Sequence, residues 1–314
     1  MNSSRRLSES ISPQVDQFRS HKRGQTALGV GLILSPSLRP LLSADPHVVD
    51  YVAIIPDTFW IDSGRGHDKR YRHIEDSIGF VDWLAARRPI VAHSIGLSIA
   101  SADVFDTEHV HEIARWHGKY DFAWHSDHLS FTRVADQLHG ERHTGLQLPP
   151  PCDADVLDMI CERVRYVQRQ VGAPFLLENN VYYVNIPEQD MSESAFLNAL
   201  TTRTGCALVL DLHNLYTNAR NHGVDPYAFV AELDLAAVTE VHIAGGEEFG
   251  GMYTDAHSGE CPTEVWQLLE LVVGAAPNLC GVTYELEPSY YGRLREEGVR
   301  DQLRQAREIW DRRH

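Results

Sequence analysis

Cysteine is scarce in this chain of 314 residues, and the few present form no pattern. The five, Cys152, Cys161, Cys206, Cys261 and Cys280, are odd in number, widely spaced and free of any C-x-x-C pair. That disfavours a disulfide framework and a thiolate zinc site, and predicts small apolar core residues instead. Basic residues are short as well: 28 Lys+Arg against 44 Asp+Glu leave a formal charge of −16. No extended basic run interleaves with aromatics, so nucleic acid is disfavoured as a partner. No stretch approaches 18 consecutive apolar residues, and the first 26 residues contain no apolar signal segment. A soluble cytoplasmic protein without membrane contact is expected. A G-x-G-x-x-G fingerprint is missing too, since GVGLIL (29–34) has no third glycine in register.

What does recur is a rhythm of short apolar runs, each followed by a polar tip and then by helical spacing. The runs are ALGVGLIL (27–34), DYVAII (50–55), PIVAHS (89–94), FAWHS (122–126), FLLEN (175–179), CALVLD (206–211), EVHIAG (240–245) and GVTYELE (281–287). Near-continuous apolar strands are expected where both faces of a parallel sheet are covered. Between them, residues 153–172 and 192–205 carry apolar positions three and four apart; the first starts on an aspartate cap, and both stop on a glycine. Eight β-then-α units without an internal repeat or linker predict an α/β fold, a single (β/α)8 TIM-like barrel over 27–314. A short flexible N-terminal arm over 1–26 precedes it.

In such a barrel, chemistry projects from the C-terminal ends of the strands. Strand three ends in His93; strand four in His125, Asp127 and His128; strand five in Glu178 and Asn179. Strand six ends in Asp211, His213 and Asn214, strand seven carries His242, and the loop after it holds Asp255 and His257; Glu285 and Glu287 end strand eight. Alone, each is an ordinary rim residue or helix cap. Together, carboxylates converging with no Lys or Arg among them repel one another unless cations lie between them. Imidazole mixed with carboxylate and amide oxygen suits iron, manganese or zinc, and so many donors exceed the four to six that one ion takes. The acidic excess is then partly a coordination shell. The glycine-rich GGEEFGGM (245–252) is expected to be a mobile loop admitting substrate to the rim. DSGRGHDKRYRH (62–73) is expected to be a solvated loop.

Seven motifs in order, HSIGLS at His93, SDHLS at Ser126, LLENN at Leu176, LDLHNLYTNARNHGVDP over 210–226, HIAGG at His242, DAH at Asp255 and YELE at Tyr284, resemble the multinuclear non-haem iron-dependent oxidases. That family, long a domain of unknown function, includes the methanobactin-biosynthesis oxidase. The resemblance implies a TIM-like barrel with two or three irons of mixed valence, and O2 as co-substrate. It implies metal ligands at His93, Asp127, Glu178, Asp211, His242, Asp255, His257 and Glu285, with His128, Asn214 and His222 as further members. Asp211, His242 and Glu285 are the residues expected to act in catalysis, and His125 is expected to support the ligands by a hydrogen bond from behind.

The implied function is oxidation of cysteine residues in a ribosomally made precursor peptide, with a separate partner protein gripping its leader, since no appended leader-binding domain is expected. Two rivals stay open: a divalent-metal isomerase or phosphodiesterase-type hydrolase on the same barrel, and a non-catalytic metal-dependent binding subunit. The chain departs from many relatives at Ala53, where they are acidic, and at Gly246, where they carry histidine.

Overall fold

Eight parallel strands close into a barrel in chain order: β1 (Gly29–Ile33), β2 (Tyr51–Ile54), β3 (Ile90–Ser94), β4 (His125–His128), β5 (Phe175–Glu178), β6 (Ala207–Asp211), β7 (Val238–Ile243) and β8 (Gly281–Tyr284). β8 pairs back onto β1, Gly29 opposite Gly281, which completes the circle. The structure, a computed structural model, describes residues 26–138, 140–184 and 186–313; the arm expected over 1–26 lies, except for Thr26, outside them. Around the barrel run α1 (Arg39–Ala44), α2 (Glu75–Ala85), α3 (Thr107–Tyr120), α4 (Ala154–Val171), α5 (Glu193–Thr204), α6 (Leu212–His222), α7 (Pro226–Glu232), α8 (Thr263–Ala275) and α9 (Tyr291–Trp310). Among the described residues no helix is long and apolar enough to cross a membrane.

The apolar strands serve two cores because side chains alternate across a strand. One set, including Leu32, Val52, Ile54, Ala92, Leu177, Leu208, Leu210 and Val282, packs outward against the helices. The other, including Tyr51, Ala53, Val91, Trp124, Leu176 and Val209, fills the barrel interior. Tyr51 fits there because its neighbours are glycines: a Cβ on Gly31 would lie 2.7 Å from its ring, and one on Gly281 2.5 Å from its hydroxyl. The expected helix signals hold, with Asp153 accepting from Val156 N and Gly172 closing α4 at φ 83°. Gly205 closes α5 at φ 73°. All five cysteines are buried.

Several expectations shift. Strand four, expected over 122–126, is observed over His125–His128, so that Asp127 and His128 belong to the strand itself. Three β-hairpins, none of them expected, stand on the rim after β2, β4 and β7: Trp60–Asp62 with Tyr71–His73, Phe131–Asp136 with Gly140–Leu148, and Glu247–Phe249 with Met252–Thr254. The glycine-rich stretch is therefore a hairpin, anchored through Glu248 to Arg220 at 2.5 Å and through Glu247 to Tyr290 and Arg293. Nor is 62–73 simply solvated. Arg70 is buried there and binds Asp62, Asp106 and Glu108.

Candidate metal centre

The inward-facing residues at the C-terminal ends of β3 to β8 meet above the apolar interior. Glu178 lies at the middle: its Oε2 is 3.4 Å from His93 Nε2, 3.7 Å from His128 Nε2 and 3.5 Å from His242 Nδ1. His242 Nδ1 is also 3.2 Å from Glu285 Oε1. Glu285 Oε2 then reaches His257 Nε2 at 3.3 Å, and that nitrogen lies 2.9 Å from Asp255 Oδ1. Among the described residues four groups of potential ligand atoms result, each with its members within 4.8 Å of one another: His93, His242 and Glu285; His93, His128 and Glu178; Glu178, Asp211 and His242; His213, Asp255 and His257.

Supporting contacts set these side chains. Asn214 donates from Nδ2 to Glu178 Oε1 at 3.2 Å, which turns Oε2 toward the imidazoles. His93 Nδ1 shares a 2.9 Å hydrogen bond with Ser126 Oγ. Asp211 caps α6, its Oδ1 accepting from Asn214 N at 2.6 Å, while its Oδ2 is left over. His257 holds a left-handed backbone, φ 45°, and its carbonyl accepts from Glu287 N at 3.0 Å. For a residue other than glycine this is a strained conformation that tends to occur at functional sites.

Buried polar atoms are nearly always hydrogen-bonded. Here Glu178 Oε2, Asp211 Oδ2, Asn214 Oδ1, His213 Nε2 and both ring nitrogens of His242 are buried without a hydrogen-bond partner. The donor set, imidazole and carboxylate with no thiolate, is that of a hard or borderline divalent cation. Residues and orphaned atoms thus fit a metal cluster. Protonation follows the same crowding. Burial, reinforced by Asp211 and Glu285, pushes the Glu178 carboxyl well above its ordinary range. Burial together with Glu285 and Asp255 pushes Asp211 up to about 7. Burial alone lowers an imidazole, but the facing carboxylates outweigh it and raise His242 and His257. Burial pushes His128 down to about 4.

Nine of the eleven expected ligand residues come together: His93, His128, Glu178, Asp211, Asn214, His242, Asp255, His257 and Glu285. Asp127 does not. It faces outward from β4, where it accepts from Leu97 N at 3.2 Å and from His128 N at 2.7 Å. His222 lies at the end of α6 against the Tyr182 carbonyl, 2.8 Å away. His125 also faces outward, on Ser94 Oγ at 3.1 Å, and supports none of the clustered residues directly. His213, absent from the expected ligands, is brought in, its Nδ1 2.9 Å from Asp255 Oδ1. Its place two residues after Asp211, at the strand end, was the available signal. Glu240 was missed because it lies one layer below the rim.

The cluster opens into a cavity of about 680 Å³. Its wall is polar at His93, His128, Asp255, His257 and Glu285 and apolar over the larger share, which includes Ile33, Ile55, Phe59, Phe80 and Leu286. β1 and β2 contribute no imidazole or carboxylate to the cluster; the apolar residues come from β1 (Ile33), the segment after β2 (Ile55 and Phe59), α2 (Phe80) and the segment after β8 (Leu286).

Residues 27–287 match the protein family described as RiPP precursor modification enzyme MbnB/TglH/ChrH. A UPF0276 protein of Caulobacter vibrioides is 31% identical over 247 residues, 78% of this chain and 82% of the relative. A UPF0276 protein of Rhizorhabdus wittichii is 32% identical over 250 residues, 79% of this chain and 84% of the relative. Among solved structures, endonuclease IV from Thermus thermophilus superposes with TM-score 0.53 at 15% identity, covering 90% of this chain and 98% of its own. D-psicose 3-epimerase from Clostridium cellulolyticum superposes with TM-score 0.52 at 10% identity, covering 90% and 96%. At such identities the structures establish the barrel fold alone.

Proposed function

On the premise that this chain belongs to the MbnB/TglH/ChrH family of RiPP precursor modification enzymes, we propose that it is an iron-dependent oxidase that uses O2 to rework a cysteine of its precursor peptide. One observation carries the reading. His93, Glu178 and His242 each belong to two of the four ligand groups, which supports two or three ions side by side at the head of a substrate-sized cavity. Iron held there would supply the redox chemistry, passing electrons from the cysteine to O2.

The protein's own part is positioning and exclusion of water. The apolar wall seats the carbon framework of the peptide and keeps the reacting side chain dry. Tyr183 lines the cavity, its hydroxyl accepting from Asp255 N at 2.9 Å. Burial raises its pKa, so it keeps its proton and is able to donate it to a substrate amide. We assign the reaction to Asp211, His242 and Glu285, which reach the ligand groups from the ends of β6, β7 and β8. Leader recognition we assign to a separate partner protein in the cytoplasm. The apolar hairpin tips at the rim, Leu138 at 85% exposure and Phe249 at 78%, support that assignment.

The test uses protein purified without oxygen, loaded with Fe2+ and mixed with the cysteine-containing peptide encoded beside its gene. O2 uptake coupled to a mass change in the peptide, lost when Zn2+ replaces Fe2+, is the expected result. Absence of uptake, or full turnover with Zn2+, overturns the proposal.

A further inference from the structure

We propose that Glu240 is a positioning residue: a carboxylate sealed inside the barrel that fixes the His242 imidazole so that Nδ1 faces Glu178 and Glu285. The inference rests on the metal reading above. Glu240 and His242 lie two apart on β7, so both side chains point inward, one layer apart. Glu240 has no solvent exposure. Its Oε1 accepts from Thr283 Oγ1 at 2.5 Å and Tyr51 OH at 3.1 Å, and its Oε2 from Trp124 Nε1 at 2.6 Å. These donors are all neutral. The polar group beside it in the layer above is His242, with Nε2 3.5 Å from Oε1.

A carboxylate behind Nε2 favours a proton on that nitrogen and leaves Nδ1 as the ligand atom. Nδ1 is the nitrogen that stands 3.5 Å from Glu178 Oε2 and 3.2 Å from Glu285 Oε1. His93 differs: a neutral hydroxyl, Ser126 Oγ, stands behind it. The barrel therefore places a carboxyl group behind one imidazole, and three side chains from β2, β4 and β8 hold it in place.

Co2+ is the probe, its affinity measured by chelator competition and its geometry by visible absorption. Glu240→Gln should weaken Co2+ binding about tenfold to a hundredfold and change the absorption bands. Tyr51→Phe, which keeps the charge and the Thr283 and Trp124 bonds, should stay within about threefold of wild type. Equal affinity and identical bands in Glu240→Gln overturn the inference, as does an equal loss in Tyr51→Phe, which marks a packing role. Wild-type protein that takes up no Co2+ overturns the metal reading itself, a distinguishable failure. If Glu240→Gln does not fold, nitrogen-15 imidazole spectra of the Zn2+-loaded wild type decide. A protonated Nε2 and metal-bound Nδ1 on His242 support the inference, and the reverse overturns it.

Discussion

Asp127 and His128 are neighbours in the chain, yet they point to opposite sides of β4. His128 faces the cluster, with Nε2 3.7 Å from Glu178 Oε2, whereas Asp127 faces the helical shell and binds the Leu97 and His128 amides. The two variants should separate cleanly. His128→Ala lowers metal content measured by elemental analysis and leaves denaturant stability nearly unchanged. Asp127→Ala keeps the metal but orphans two amides, costing about 1–3 kcal/mol in chemical denaturation. Loss of metal in Asp127→Ala alone would reverse the assignment.

Metal binding must displace protons, because Asp211 is pushed up to about 7 and His242 is raised above its ordinary value. Affinity for Co2+ should therefore climb as pH rises through 7. The stability of the metal-free protein runs the other way. A carboxyl whose folded pKa lies above its unfolded one binds its proton more tightly when folded, so Asp211 makes stability fall as pH rises from about 4 to 7. The melting temperature gained on adding Co2+ should be larger at pH 7.5 than at 5.5. An equal gain at both would contradict this.

Gly246 leaves no room for a side chain. A Cβ there would lie 2.2 Å from the Thr254 carbonyl and 2.8 Å from His213 Nε2. Gly246→Ala must push the hairpin Glu247–Phe249 with Met252–Thr254 away from His213, at a cost of about 1–3 kcal/mol. Thermal unfolding measures that cost, and an unchanged midpoint would show that the hairpin yields freely.

Asp106 joins α3 to the rim: it accepts from His109 N at 3.1 Å and pairs with Arg70 at 2.6 Å and Arg133 at 3.0 Å. Burial opposes its ionisation, but these partners outweigh burial and hold its pKa below the ordinary carboxylate range. The stabilisation is present above the unfolded pKa of about 3.9 and fades as pH falls toward the folded value. Asp106→Asn should cost about 3–5 kcal/mol at pH 7. The gap to wild type should narrow below pH 4, and a gap that stays constant with pH would refute the linkage.

The barrel was legible because each strand is apolar on both faces, a pattern that one-sided sheets do not produce. Rim chemistry was legible for the same reason: His93, Glu178 and Asp211 interrupt the apolar runs at their ends. The pleat was harder to read. At β4 the strand begins at His125 and not at Phe122, and a polar run such as HSDH carries no apolar alternation to mark which residues face in. Asp127 entered the expected ligands through the family resemblance, and no alternation in the sequence opposed it. His222 follows α6 for two more turns beyond Asn214, which carries it past the centre. The three hairpins were hidden in charged and glycine-rich stretches that read equally well as loops. Glu240, between Thr239 and Val241, looked like a strand start, and only its three donors from other strands reveal what it touches.

Of the four ligand groups, only His93 with His128 and Glu178 lies within the first five strands; the others need side chains from β7, from the loop that follows it, or from β8. During synthesis the ribosome releases β8 late, long after the first histidines have emerged. An unfinished chain thus presents at most a partial, open chelate, and full affinity arrives only when Gly281 docks beside Gly29. Complete assembly of the ligand groups is in this way coupled to closure of the barrel.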